Sequence, residues 1–308
     1  MDNYVIETQH LVKKFSNNIV INNVNLHIKE GSIYGLLGRN GAGKTTIMKL
    51  LLGLLQKDMG SINLFGKRVD SYKQIPYQRI GNMIESPAFY PNLTSTENLE
   101  VFVKMKGVSQ RDCIQKTLGL VGLPYADTKL YSQYSLGMKQ RLALANALLL
   151  EPEVLILDEP INGLDPAGIV DIRNILLEIN SSKKTTILLS SHILSEVAEI
   201  ADTIGILHSG ILLEERTMDS LNQEHKQYTR ISVSSTSEAA FILEEKCHIR
   251  DYKKISESII HIYDCTLPMG KVNKILNDDG ILVEEIVSHN TSLEDHFLKL
   301  TGGVQIAQ

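Results

Sequence analysis

The sequence predicts an α/β fold: a parallel-sheet core carrying an antiparallel β subdomain and a helical subdomain, followed by a small C-terminal α+β domain. Three observations lead there. Continuous apolar runs at Ser32–Leu37 and Val154–Leu157 suit strands buried on both faces. Strand-like and helical stretches alternate after Val154, the pattern of crossover-linked parallel strands. Beyond about Arg216 the signals become short and change order.

Taken in order, alternation over Tyr4–Thr8 and Ile19–Ile28 predicts half-buried antiparallel strands. The buried run ending at Leu37 leads at once into a Gly-rich turn, and Thr45–Leu55 then reads as a helix, with another strand near Ser61–Phe65. From about Pro87 to Leu150 the texture is helical, including Thr96–Met105 and Leu136–Leu150, broken by Gly107, Gly119, Gly122 and Pro124. Strands return at Val154–Leu157, Thr186–Ser190 and Ile204–Leu207, with helical stretches such as Gly168–Asn180 between them. The polar run Asn222–Gln227 reads as a linker. After it come strand, helix, strand, strand, helix, strand and a last helix, beginning near Tyr228–Ser234 and ending with Leu293–Leu300, an order that resembles a split β-α-β unit. The expected domains are 1–215, with a helical subdomain over about 87–150, and 216–308.

Composition narrows the classes of function. Of 308 residues 22% are charged and 43% apolar, the make-up of a folded protein with a real core. Net charge is −5, and Lys and Arg are scattered, so the basic stripe of a nucleic-acid binder is missing and no nucleic-acid partner is expected. The start, Met1-Asp2-Asn3-Tyr4-Val5, has neither a basic nor an apolar leader region, and no stretch reaches the roughly 18 apolar residues of a spanning helix, so neither secretion nor membrane crossing is expected. Cys113, Cys247 and Cys265 lack metal spacing and read as reduced thiols.

Chemistry concentrates in three places. Gly38-Arg39-Asn40-Gly41-Ala42-Gly43-Lys44-Thr45-Thr46 fits G-x-x-x-x-G-K-[ST] and falls between a buried strand and a helix, the context a phosphate-binding P-loop requires. Its glycines let successive backbone N–H groups turn inward around a β-phosphate, and the helix N-terminus adds partial positive charge. Lys44 can reach the β/γ-oxygens, and the Thr45 hydroxyl suits Mg²⁺. Second, Val154-Leu155-Ile156-Leu157-Asp158-Glu159-Pro160 places two acids at the end of an apolar strand. Beside a phosphate cradle Asp158 can hold Mg²⁺ directly or through water, and Glu159 can accept the proton of an attacking water or orient it, which points to hydrolysis. A GTPase would want an Asn-Lys-x-Asp tetrad; the near match, Asn273-Lys274-Ile275-Leu276, lacks the acid and lies in the wrong domain.

The third place is Tyr134-Ser135-Leu136-Gly137-Met138-Lys139-Gln140-Arg141, just ahead of an amphipathic helix. A helix cap accounts for Ser135 alone. The stretch resembles the LSGGQ-x-x-R signature loop of the ABC ATPase family, with Ser135, Gly137 and Arg141 matching and Leu136 and Met138 departing. Other family elements follow in register: Phe15 at the position of the adenine-stacking aromatic, Gly163-Leu164-Asp165 like the D-loop, and His192 like the switch histidine. The resemblance covers residues 1 to about 215. It implies a RecA-like cassette, with ATP and Mg²⁺ as cofactors and two cassettes closing head to tail. ATP is then shared between the P-loop of one and Ser135 and Gly137 of the other.

One departure narrows the branch. Where most of the family carry Gln between the nucleotide core and the helical subdomain, this chain has Glu85, followed by Ser86-Pro87-Ala88-Phe89-Tyr90-Pro91-Asn92-Leu93-Thr94. With the Ser-Leu-Gly-Met-Lys-Gln-Arg signature and the ending from Ser292 to Gly302, this is similar to the ATP-binding subunits of bacitracin-resistance and lantibiotic-immunity exporters. That resemblance implies nucleotide and metal contacts for Glu85. It implies a second copy or a homologous cassette as partner, an integral-membrane permease, and a place at the inner face of the cell membrane. The alternatives are a non-transport ABC ATPase, whose usual second cassette, coiled coil or basic surface is missing, and a peptide-sensing complex, which the residues do not separate from transport.

Overall fold

A computed structural model describes residues 3–84, 88–107, 112–224, 228–263, 267–289 and 293–302. The chain forms two units, Met1–Met218 and Asp219–Gln308.

The first unit opens with a long hairpin, β1 (Tyr4–Phe15) and β2 (Asn18–Lys29), followed by β3 (Ile33–Leu37), α1 (Lys44–Leu51), β4 (Met59–Leu64), β5 (Lys67–Arg68) and β6 (Ile80–Met83). A helical stretch comes next: α2 (Ser95–Met105), α3 (Asp112–Leu120) and α4 (Leu136–Leu148). Then follow β7 (Val154–Leu157), α5 (Pro166–Lys183), β8 (Thr186–Ser191), α6 (Leu194–Ala198), β9 (Thr203–His208) and β10 (Ile211–Thr217). Two sheets result. One is antiparallel, ordered β2-β1-β4-β5; the other is ordered β10-β9-β3-β8-β7-β6, its members parallel from β9 to β6 with β10 antiparallel at one edge.

The parallel strands read as apolar runs because both their faces are covered, and every residue of β3, β7 and β8 is buried. One face packs on α1: Tyr34 and Leu36 of β3, Ile156 of β7 and Leu188 of β8 share a cluster with Ile47, Met48 and Leu51. The same cluster takes in Ile6 and Leu11 of β1 and Leu26 of β2, so α1 is held between the two sheets and its N-terminus is rigidly aimed. On the opposite face a β-carbon at Gly35 would lie 2.2 Å from Val197 Cγ1, so only glycine lets α6 approach β3 this closely.

Strand order decides where a site can form. In open sheets of this kind ligands bind outside the carboxyl ends of the strands, where connections leave in opposite directions. Here the neighbours β3, β8 and β7 end side by side, with Leu37 paired to Ser191 and Leu157 to Leu189.

The helix α7 (Met218–Glu224) overturns part of the expected linker: Asn222, Gln223 and Glu224 form its last turn, and 225–227 lie outside the described residues. Leu221 is buried and anchors the helix, and Leu, Gln and Glu are good helix formers, so polarity alone misread the segment. The second unit continues with β11 (Tyr228–Val233), α8 (Thr236–Glu245), β12 (Tyr252–Lys254), β13 (Ile259–Ile262), α9 (Met269–Asp278), β14 (Val283–His289) and α10 (Leu293–Leu300). Its antiparallel sheet runs β12-β13-β11-β14, the split β-α-β arrangement, over a core of Ile231, Val233, Leu243, Ile260, Val272 and Leu276. Among the described residues no helix is long and apolar enough to cross a membrane.

Candidate active site

The loop between β3 and α1 is shaped by its glycines. Gly41 and Gly43 take φ of 82° and 109°, which other residues rarely adopt. A β-carbon at Gly38 would meet the Leu207 carbonyl oxygen at 2.5 Å and one at Gly43 would meet Ile21 Cδ1 at 2.6 Å, whereas Gly41 faces open space. The loop is thus pressed onto β9 and β2 on one side and open on the other. Its open side is a cavity of about 290 Å³ lined by Val20, residues 39–46 and Glu159.

The helix that starts here differs from α2, α4 and α5. Thr94, Ser135 and Asp165 cap α2, α4 and α5 with a side-chain oxygen, but α1 starts at Gly43 with no side-chain cap and no acid in its first turn. Its leading N–H groups and its partial positive charge are therefore offered to whatever fills the cavity, and an anion suits both.

Lys44 is buried, at 5% exposure, on the wall of this cavity. Its Nζ donates to the Gly38 carbonyl at 2.6 Å and the Arg39 carbonyl at 3.4 Å and lies 3.1 Å from Glu159 Oε1. Thr45 Oγ1 donates to Asp158 Oδ2 at 2.6 Å. The other oxygen of Asp158 accepts from Ser190 Oγ, also at 2.6 Å, and the same Ser190 oxygen accepts the Glu159 N–H at 2.9 Å. Glu159 takes a left-handed φ of 50°, and its Oε2 lies 2.8 Å from His192 Nδ1. The residues Lys44, Thr45, Asp158, Glu159 and His192, singled out separately along the chain, are therefore joined in one network.

The donors fit a magnesium-bound nucleoside triphosphate. An uncapped helix start, a buried ammonium and a cavity-facing glycine loop suit the phosphates. The hydroxyl of Thr45 and the carboxylate of Asp158 are hard oxygen donors, and Mg²⁺ needs only one or two carboxylates because phosphates and water complete its shell. Among the described residues no group of three or more His, Cys, Asp or Glu side chains is placed to hold a metal alone.

Ser135, Gly137 and Asp165 stand elsewhere, on a second cavity of about 480 Å³ between the start of α4 and the start of α5. Ser135 Oγ accepts the Met138 N–H at 3.3 Å, Asp165 Oδ1 accepts the Gly168 N–H at 3.0 Å, and Arg141 pairs with Asp171. Phe15 is 44% exposed at the end of β1, under the Lys13 ammonium, and is not among the residues lining the first cavity. Glu85 lies outside the described residues, as do Cys265 and Ser292.

Three contacts at the site escape a reading of motifs. Val20 lines the first cavity, Gln140 Nε2 donates to the Glu159 carbonyl at 3.4 Å, and Ser190 bonds to both acids. For Ser190 there was a signal: a hydroxyl closing the apolar run Ile187-Leu188-Leu189, where burial would demand a partner.

Comparison with known proteins identifies the family. The family profile described as "ABC transporter" matches residues 21–162. The chain is 45% identical over 304 residues to the bacitracin transport ATP-binding protein BcrA of Enterococcus faecalis, covering 99% of this chain and 98% of that protein. The chain belongs to the ABC transporter ATP-binding family. The cassette is therefore an ATPase whose hydrolysis is coupled to transport. It is also 42% identical over 299 residues to BcrA of Bacillus licheniformis (97% of this chain, 98% of that protein), and 44% identical over 215 residues to the lantibiotic transport ATP-binding protein SrtF of Streptococcus pyogenes (70% and 92%). Among solved structures, an ATP-binding subunit of an ABC transporter superposes with a TM-score of 0.62 at 30% identity, covering 71% of this chain and 92% of that one. The cassette MJ0796, in a dimeric post-hydrolysis state with ADP and Pi, shares the fold at a TM-score of 0.62 and 23% identity (69% and 98%).

Proposed function

We propose that this cassette powers export of, or self-protection against, a peptide antibiotic of the bacitracin or lantibiotic type through a separate integral-membrane permease, at the cytoplasmic face. The observation that carries this is the likeness to the bacitracin transport proteins. It runs over 304 residues and so takes in the second unit as well as the cassette.

On this reading the network changes partners when ATP arrives. Lys44 leaves the Glu159 carboxylate for the β/γ-phosphate oxygens, and the N–H groups of the Gly38–Thr45 loop surround the β-phosphate. Thr45 and Asp158 would hold Mg²⁺, with Glu85 as a further oxygen donor, and bound Mg²⁺ would supply positive charge to the phosphates. Glu159, relieved of its ion pair, accepts the proton of the attacking water or orients it, while His192 keeps the carboxylate in place through Oε2. Phe15 stacks on the adenine.

Ser135 and Gly137 lie on a cavity distinct from that of Lys44, which supports a dimer in which each ATP is covered by the signature loop of a second copy or a homologous cassette. The start of α4 favours the closed pair only while a γ-phosphate is present, so hydrolysis reopens it and moves the permease. Asp165 lies beside Ser135 on that same face.

The test is resistance. The cassette expressed together with its permease partner in a bacitracin-sensitive host raises the inhibitory concentration of bacitracin or of a lantibiotic, and Glu159→Gln abolishes the gain. Unchanged sensitivity with an active ATPase overturns the export reading. Induction of a resistance gene without efflux of peptide replaces it with sensing.

A further inference from the structure

We propose that Ser190 is a positioning residue for hydrolysis, setting the Asp158 carboxylate and the Glu159 backbone with one hydroxyl; this rests on the ATPase reading of the site.

Ser190 is 0% exposed, at the carboxyl end of the wholly buried strand β8. A hydroxyl in such a place is costly unless it is fully bonded, and this one is bonded twice. A backbone N–H can only donate, so the Glu159 N–H at 2.9 Å uses the Ser190 oxygen as acceptor. The hydroxyl proton is left for Asp158 Oδ1 at 2.6 Å. The two bonds converge from one atom on two adjacent residues of the neighbouring strand end.

Each bond does something for the site. Asp158 Oδ2 is held by Thr45, so without Ser190 the carboxylate would be tethered at one oxygen and free to rotate; with it, both oxygens are placed. Glu159 has a left-handed backbone, a conformation that persists in a non-glycine residue only where surroundings enforce it. The bond from its N–H to Ser190 is part of that enforcement. The Glu159 side chain meets Lys44 and His192 from this backbone, so a relaxed φ would swing the carboxylate away from both.

The experiment compares Ser190→Ala and Ser190→Thr in the full-length protein, with Lys44→Ala and Glu159→Gln as references. Three quantities are read: steady-state ATPase kinetics, equilibrium binding of ATP by calorimetry with and without Mg²⁺, and melting temperature. Ser190→Ala is expected to lower kcat on the order of 10- to 100-fold, the mark of lost orientation at the reacting atoms, and to raise KM for Mg-ATP by no more than about tenfold, as the weakened Mg²⁺ tightening alone requires. Metal-free ATP binding should match wild type, but the tightening on adding Mg²⁺ should fall by about tenfold. Ser190→Thr retains the hydroxyl and should recover most of both.

Wild-type kcat and Mg²⁺ tightening in Ser190→Ala overturn the proposal. So does a loss that merely follows the melting temperature, which marks a packing role, or a Ser190→Thr protein that melts like wild type yet is as inactive as alanine. If Lys44→Ala and Glu159→Gln stall hydrolysis while Ser190→Ala does not, the site reading stands and only this inference falls; if those references hydrolyse normally, the reading itself falls.

Discussion

The ammonium of Lys44 lies 3.1 Å from the carboxylate of Glu159. The cation of the phosphate loop and the proposed base thus neutralise each other across the cavity that both line. Triphosphate competes for that cation, which couples substrate arrival to release of the carboxylate.

Lys44→Ala removes the buried side-chain cation of the cradle and leaves Glu159 without its ammonium partner beside incoming phosphate. ATPase turnover of the purified protein is expected to fall by about 10²-fold or more. More than about a tenth of wild-type turnover would count against the role.

Glu159→Gln keeps nearly the same shape but cannot accept a proton. The variant should still bind ATP, hydrolyse it very slowly, and elute from size exclusion in Mg-ATP as a dimer where the wild type reverts to monomer. Normal hydrolysis, or monomers of both proteins at high concentration with ATP, would show that the base has been misassigned.

Ser135 separates a cap from a signature contact. Ser135→Ala loses the bond to the Met138 N–H and should cost about 1 kcal/mol of stability. Ser135→Asp is an equally good cap but places a negative charge where the partner's γ-phosphate is to sit, so it should melt like wild type and lose ATP-driven dimerisation. A Ser135→Asp protein that dimerises normally with ATP would reduce Ser135 to a capping residue.

Glu85→Gln keeps a carbonyl oxygen for the metal and removes a charge. Because Thr45 and Asp158 already offer protein oxygens, ATPase of the isolated subunit should fall only modestly, while peptide resistance in cells should fall further. Arrest of the isolated ATPase as complete as in Glu159→Gln, or untouched resistance, would contradict this division between coupling and chemistry.

Gly35→Ala tests the packing that holds β3 against α6. The added methyl would meet Val197 Cγ1 at 2.2 Å, so unfolding by denaturant should show a loss of about 1–3 kcal/mol. Val197→Ala in the same protein should recover most of it. If the double variant is no more stable than Gly35→Ala alone, the close approach is not the cause.

Local chemistry made much of this protein legible from its sequence. The apolar runs of β3, β7 and β8 announce buried parallel strands because both faces of such strands are covered. The glycines of Gly38–Thr46 announce a phosphate loop because only glycine turns successive N–H groups inward, so spacing and chemistry coincide in one short segment. Where the signal was only polarity, at Asn222–Glu224, the sequence misled, since one buried leucine outweighs three polar neighbours.

What only the tertiary structure decided is which residues meet. No local rule orders β10-β9-β3-β8-β7-β6, because strand neighbours are selected by packing across the whole chain. That order brings the ends of β3, β8 and β7 together and so pairs Lys44 with Glu159. It also sets Ser190 against partners 31 and 32 residues away, and leaves Ser135 on a separate cavity. A hydroxyl at a strand end has no assigned partner until the neighbouring strand is known; its burial at 0% exposure then makes the bonds to Asp158 and Glu159 obligatory.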